Sequence, residues 1–312
     1  MKIPSPLIIS LFLFTLYTIL LGILYLKISP NSNLEKQQQQ NEREKEGEKE
    51  EKEKEKKDFN PWCGDTLNIQ QPENPYKKII SFVAYQQDPT APLEKWIEMG
   101  VLDNSVGRDA YFPDWVTRAY IIHPSPELET LLIENNWEII YCVKPKRMHF
   151  SMLYRFFAYD EDIWLFTSRD LDSRLSPREL FVINEWIASD YLFHTIRDHP
   201  KGHSIPILGG MFGMRKGAIN GSMVDLIQKA LNENDPITGS HGEDQSFLQR
   251  YVWPQVAENA LEHDSHGKCF GGKECRKFPQ ISGQWGNDNF IGNPFKIENH
   301  INSVCNMTCK YE

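Results

Sequence analysis

The chain has 312 residues, a formal net charge of −9 and 12% aromatic residues. Residues 1–57 hold ten Lys/Arg against nine Glu, and the remainder holds 24 basic against 34 acidic residues. An acidic body of roughly 250 residues can bury one large core; its charge argues against nucleic acid as a partner but does not exclude an anionic ligand that arrives with a cation.

Leu7 to Leu26 runs twenty residues without a charge, the length that spans the hydrocarbon of a bilayer. A cleaved signal peptide is the rival reading. The flank Tyr25-Leu26-Lys27-Ile28 lacks the small residues of a cleavage site, which favours an anchor. The expectation is a cytoplasmic tail (1–6), a transmembrane anchor (7–28), a low-complexity stem (29–60) and a lumenal domain (61–312). Lys2 and the α-amino group outweigh Lys27 and give a single-pass, type II orientation. The architecture suits a Golgi or endoplasmic reticulum membrane. The stem alternates Glu and Lys after a Gln37–Gln40 run and has almost nothing to bury.

All six cysteines (63, 142, 269, 275, 305 and 309) follow the anchor, as disulfides in an oxidising lumen require. Cys269/Cys275 and Cys305/Cys309 can bridge locally or to each other, and a zinc site with His263 and His266 is an alternative that fits no common structural spacing. Two glycosylation triplets, Asn220-Gly221-Ser222 and Asn306-Met307-Thr308, agree with a lumenal domain.

Beyond Pro61 the pattern predicts strands at Ile79–Tyr85, Ala119–Ile122, Glu138–Val143 and Ile163–Thr167. Helices are predicted at Pro126–Asn135 and Ser151–Tyr159. Alternating strands and helices predict an α/β, Rossmann-like domain with a mostly parallel sheet covered on both faces. After the fourth strand comes Ser168-Arg169-Asp170-Leu171-Asp172-Ser173-Arg174, then Ser176-Pro177-Arg178-Glu179, a capping box that opens a helix striped by Leu180, Ile183, Trp186 and Ile187. Asp170 and Asp172 therefore fall between the carboxyl end of a strand and a helix, where open α/β sheets bind ligands. Their hard oxygens suit Mg²⁺ or Mn²⁺ with a diphosphate completing the shell. Asp160-Glu161-Asp162 has the same spacing but precedes the strand and reads as a solvated turn.

Arg169-Asp170-Leu171-Asp172-Ser173-Arg174-Leu175-Ser176-Pro177-Arg178-Glu179, then Glu185-Trp186, Arg197-Asp198-His199-Pro200 and Ile207-Leu208-Gly209-Gly210-Met211-Phe212-Gly213, in that order, resemble a group of A-type (GT-A fold) glycosyltransferases similar to enzymes that build lipopolysaccharide and other surface glycans. The resemblance spans about residues 79–295. It implies a nucleotide-sugar donor, a glycan, protein or lipid acceptor, and a divalent metal at Asp170 and Asp172. It further implies donor contacts from Arg155, Arg169, Arg174, Gly209 and Gly210, and a base at Asp244 or Glu243, or in a retaining enzyme an Asp-Gln pair against the sugar. A third metal ligand is expected from His263 or His266, with His263 favoured. Arg197-Asp198 reads as a buried ion pair fixing a loop. The rival functions are a non-catalytic, membrane-anchored glycan-binding or scaffold protein, and a metal phosphohydrolase.

Overall fold

The computed structural model describes residues 15–21, 60–67, 77–86, 88–146, 148–161, 163–199, 203–233, 242–278 and 290–294. The chain divides into two units, Met1–Phe59 and Asn60–Glu312. In the first, residues 15–21 are helical; no helix among the described residues is long and apolar enough to cross a membrane. The expected tail, most of the anchor, nearly all of the stem, Cys305, Cys309 and the Asn306 triplet lie outside the described residues.

The second unit carries a nine-stranded sheet among its described residues: β1 (Cys63–Leu67), β2 (Lys78–Tyr85), β3 (Val116–Ile122), β4 (Glu138–Cys142), β5 (Leu165–Arg169), β6 (Phe193–Arg197), β7 (Met211–Arg215), β8 (Ala260–Asp264) and β9 (Glu274–Arg276). Their order is β1-β4-β3-β2-β5-β7-β6-β8-β9. β2, β3, β4 and β5 pair in parallel, as do β6, β8 and β9. β7 is antiparallel to both β5 and β6, and β1 is antiparallel to β4. Only β1 and β7 therefore run against the rest, and the mostly parallel sheet expected from the sequence is met.

Side chains alternate between the faces of β2, as the strand period dictates. Ile79 and Val83 join one apolar cluster, while Ile80, Phe82 and Ala84 join the other. The second face is covered by α1 (Lys95–Tyr111), α2 (Pro126–Glu134) and α3 (Pro177–Ile187), through Ile97, Val101, Leu128, Leu132, Val182 and Trp186. The first is covered by a 3-10 helix (Met148–Asp160), α4 (Met223–Asn232), and α5 (Glu243–Phe247), which continues through a π-helical turn (Leu248–Val252) into α6 (Trp253–Val256). The helix expected at 151–159 exists, wound more tightly than an α-helix; Leu153 to Tyr159 are all buried within it.

Ser125 and Ser176 cap α2 and α3, each hydroxyl accepting from the backbone three residues on (Leu128 N, 3.2 Å; Glu179 N, 3.3 Å), with Pro126 and Pro177 opening the helices. The expected capping box is only half made. Glu179 turns inward, is fully buried, and meets Arg169 at 2.9 Å. Burial pushes its carboxyl up to about 7, against the pull of Arg169.

Two disulfides form among the described residues of this unit. Cys63–Cys142 ties edge strand β1 to β4, and Cys269–Cys275 is the local bridge among the pairings left open by spacing. With both of the latter sulfurs bonded, Cys269 and Cys275 are not free to ligate zinc.

Candidate functional site

β5 lies mid-sheet between β2 and β7, and its carboxyl end delivers the chain directly to Asp170. α1 fastens the loop that follows. Asn104 Nδ2 donates to Leu171 O (3.3 Å) and Ser173 O (2.9 Å), and Asn104 Oδ1 accepts from Leu175 N (3.1 Å). Leu171 is buried in the core, and the aspartates on either side of it both border a cavity of about 570 Å³. Ser173 closes the turn, its N–H and hydroxyl both donating to Asp170 O (3.2 and 2.9 Å).

Arg155, from the 3-10 helix, reaches the same cavity and is clamped between two carboxylates. Its Nη1 donates to Asp170 Oδ1 and to Arg169 O (3.1 Å), and its Nη2 donates to Asp244 Oδ2 (2.9 Å). The Asp244 Oδ1 atom accepts from the Gln245 amide (2.9 Å). Gly209 and Gly210 complete the wall. Ser168 Oγ donates to Gly209 O (2.6 Å) and Arg169 Nη1 to Gly210 O (2.9 Å), which holds the glycine pair against the charges. A Cβ at Gly209 would strike the Asp244 carboxylate and stand 2.7 Å from Arg155 Nη2. Only glycine fits where backbone approaches so closely.

The two aspartates differ electrically. Burial opposes charge on Asp170, but the Arg155 guanidinium outweighs it and holds the carboxyl below its ordinary value. Asp172 is pushed upward, by burial first and by the negative charge of Asp170 second. No basic side chain among the described residues forms an ion pair with Asp172. Across the cavity, burial and then His199 push His203 down to about 4.

Six of the residues expected from sequence thus line one cavity: Asp170, Asp172, Arg155, Gly209, Gly210 and Asp244. Four do not. Arg169 is buried beneath the glycine pair with Glu179. Arg174 turns away to Asp103 (2.7 Å). Glu243 stands in the first turn of α5 outside the lining. His263, the expected third metal ligand, points into the sheet's helical face: it is fully buried on β8, its Nδ1 2.8 Å from His194 Nε2 and its Nε2 2.7 Å from Glu185 Oε2. Its alternative, His266, is also absent from the lining. The expected Arg197–Asp198 pair is likewise exchanged. Arg197 engages Asp264 (2.9 Å) and Glu262, while Asp198 is gripped twice by Arg178 (2.7 Å each).

The cavity also presents Gln245, the second member of the Asp-Gln pair expected for a retaining enzyme, and Tyr85, Trp96, His199, His203 and Phe290, which sequence reasoning did not assign. A signal existed for the histidines: the Arg197-Asp198-His199-Pro200 block had no role, and His203 follows it closely.

Among the described residues no group of three or more His, Cys, Asp or Glu side chains is arranged to hold a metal ion. Asp170 and Asp172 still fit one. Two hard carboxylates facing one cavity, the second raised partly by repulsion from the first, make an incomplete oxygen shell. Phosphate oxygens and water would complete it, as Mg²⁺ and Mn²⁺ prefer. The fit is to a cation that arrives with its phosphate ligands.

No family model and no curated protein sequence matches the chain. Among solved structures it is similar to 4-diphosphocytidyl-2C-methyl-D-erythritol synthase from Anaerococcus prevotii DSM 20548, at 10% identity and TM-score 0.38, covering 75% of this chain and 99% of that one. It is also similar to the galactosyltransferase LgtC in complex with donor and acceptor sugar analogs, at 11% identity and TM-score 0.40, covering 60% of this chain and 73% of that one.

Proposed function

We propose that the protein is a metal-dependent glycosyltransferase that moves a sugar from a nucleotide-sugar donor to a hydroxyl of a glycan, protein or lipid acceptor. One observation carries the reading: Asp170 and Asp172 border the same cavity at the carboxyl end of β5, beside Arg155 and the Gly209-Gly210 wall. That is the position where open α/β sheets take ligands, and Asp170, Asp172, Gly209 and Gly210 belong to the ordered motif blocks in the sequence.

In this reading Asp170 and Asp172 hold Mn²⁺ or Mg²⁺ against the donor diphosphate. The bound ion supplies charge stabilisation for the departing nucleoside diphosphate. Arg155 fixes Asp170 and Asp244 relative to each other. The acceptor oxygen bonds to the anomeric carbon, the bond from that carbon to phosphate breaks, and the acceptor proton passes to Asp244. Glu243, outside the lining, is the weaker candidate for that role. Gly209 and Gly210 leave room for the Asp244 and Asp170 carboxylates at the cavity wall.

We further propose a single-pass, type II protein of the Golgi or endoplasmic reticulum membrane, anchored through residues 7–28. The uncharged Leu7–Leu26 run and the two disulfides support this.

The test is release of nucleoside diphosphate from a panel of nucleotide sugars, with Mn²⁺, by wild type and by the Asp170→Asn, Asp172→Asn double variant. Turnover by the wild type alone is expected. Wild-type turnover in the double variant would overturn the site. If no nucleoside diphosphate raises the melting temperature with Mn²⁺ present, the glycan-binding or scaffold reading replaces the enzyme.

A further inference from the structure

His203 sits on the loop between β6 and β7, and its ring lines the cavity, with the ring centres of His199 and Phe290 5.8 and 5.5 Å away. Its Nδ1 receives two backbone N–H groups, from Asp198 and from His199, each at 3.0 Å. Two donors converging on one ring nitrogen need its lone pair, so the neutral ring carries its proton on Nε2. The loop is built to keep this arrangement. His203 N donates back to His199 O (3.3 Å), and Asp198 is held by Arg178 and by Ile291 N (3.0 Å). No acceptor among the described residues engages Nε2.

A ring nitrogen that bears a proton cannot ligate a metal; it donates to oxygen. Besides His203, the side-chain donors in the described lining are Tyr85, Trp96, Arg155, His199 and Gln245. Arg155 is the one permanently cationic side chain among its described lining residues, and two carboxylates already hold it. The Trp96 indole donates to Glu94 (2.7 Å). A diphosphate brought to Asp170 and Asp172 therefore meets a wall in which His203 is the rigidly presented neutral donor, and hydrogen bonds to charged oxygens are the strong ones.

Resting on the function proposed above, we propose that His203 is a phosphate-binding residue that gives its Nε2–H to a non-bridging oxygen of the substrate diphosphate, and that it is not the metal's third ligand.

The experiment uses the full chain with ¹⁵N-labelled histidine and inorganic pyrophosphate in Mg²⁺. Nitrogen NMR reads the tautomer directly, with the His203 signals assigned by their loss in His203→Asn. The expected result is a proton on Nε2 that shifts when pyrophosphate is added. The asparagine oxygen can still accept from the loop amides but cannot reach as far, so the variant should bind pyrophosphate about tenfold more weakly, the loss of one hydrogen bond to a charged group. The Mg²⁺ concentration needed for half-maximal binding should not change. A proton on Nδ1, no shift with pyrophosphate, or a raised Mg²⁺ requirement in the variant overturns the assignment. Equal affinity in His203→Asn, with binding lost in Asp170→Asn, overturns this inference alone. A wild-type protein that binds no pyrophosphate at any Mg²⁺ concentration overturns the parent function as well.

Discussion

Gly210 lies against Asp170 so closely that a methyl group at position 210 would take the place of Asp170 Oδ2 and stand 2.8 Å from the Asp170 amide nitrogen. The glycine is therefore part of the geometry of the proposed metal site. Gly210→Ala should displace the carboxylate, cost about 1–3 kcal/mol through overpacking, and weaken Mn²⁺-dependent nucleoside diphosphate binding at least tenfold. Calorimetry checks this; unchanged binding by a folded variant would refute it.

Arg155 holds Asp170 and Asp244 together from a nearly fully buried position. Removing it leaves two carboxylates facing each other without their cation. Because Asp170 opens to the cavity, the loss in Arg155→Met should be about 2–4 kcal/mol, below the full cost of a deeply buried pair. Asp244→Asn added to that variant should restore part of it. Denaturant melts of the double-mutant cycle should give a coupling of about 1–3 kcal/mol.

His263 is bonded to His194 and Glu185 and does not face the cavity. His263→Ala should lower stability by about 1–3 kcal/mol, the cost of leaving buried polar partners unsatisfied. Mn²⁺-dependent nucleotide binding should be retained. Loss of binding in a variant with normal melting behaviour would return His263 to the metal site.

The contrast between His263 and Asp172 shows where the sequence was legible. Asp170 and Asp172 follow an apolar strand and precede a Ser-Pro helix start, so local pattern alone places them at the carboxyl end of a strand. β6 and β8 carry no such pattern. Their residues are all buried, yet they include His194, Arg197, Glu262, His263 and Asp264, which pair across the two strands as His194–His263, Arg197–Glu262 and Arg197–Asp264. Polar residues paired this way break the apolar signal that periodicity relies on. α1 is hidden for the same reason: its buried face includes Asp103, Asn104, Ser105 and Arg108 beside two glycines. The Arg178–Asp198 pair links residues 20 apart, a partnership that no local spacing encodes.

The protonation of His203 gives a pH signature. An ordinary histidine titrates near 6.5, whereas burial, then His199, push His203 down to about 4. Between these values the unfolded chain binds more protons than the folded one. The contribution is present in full above about pH 6.5 and is lost as pH falls through about 4. The stability difference between wild type and His203→Asn should be flat above pH 6.5 and shrink below it, by at most about 3 kcal/mol. A flat difference throughout would contradict the half-buried, neutral ring.

Asn220 is exposed at a turn where Gly221 has φ +82°, and Ser222 follows as the cap of α4. With a lumenal domain, the chain made in a eukaryotic secretory system should carry a glycan there. Peptide-N-glycosidase treatment should increase gel mobility, and Asn220→Gln should remove the part of that shift due to this site. Identical mobility of treated and untreated wild type would argue against the type II topology.

The bridge between Cys63 and Cys142 has a mechanical consequence. In the type II arrangement proposed above, a pull from the N-terminal side would enter the folded unit three residues before Cys63. An edge strand held by hydrogen bonds alone would unzip from that end, one bond at a time. Here the load passes through sulfur into the adjoining strand, which is paired along its other side with β3. Under such a pull, peeling would stop where it starts, at the sulfur bridge.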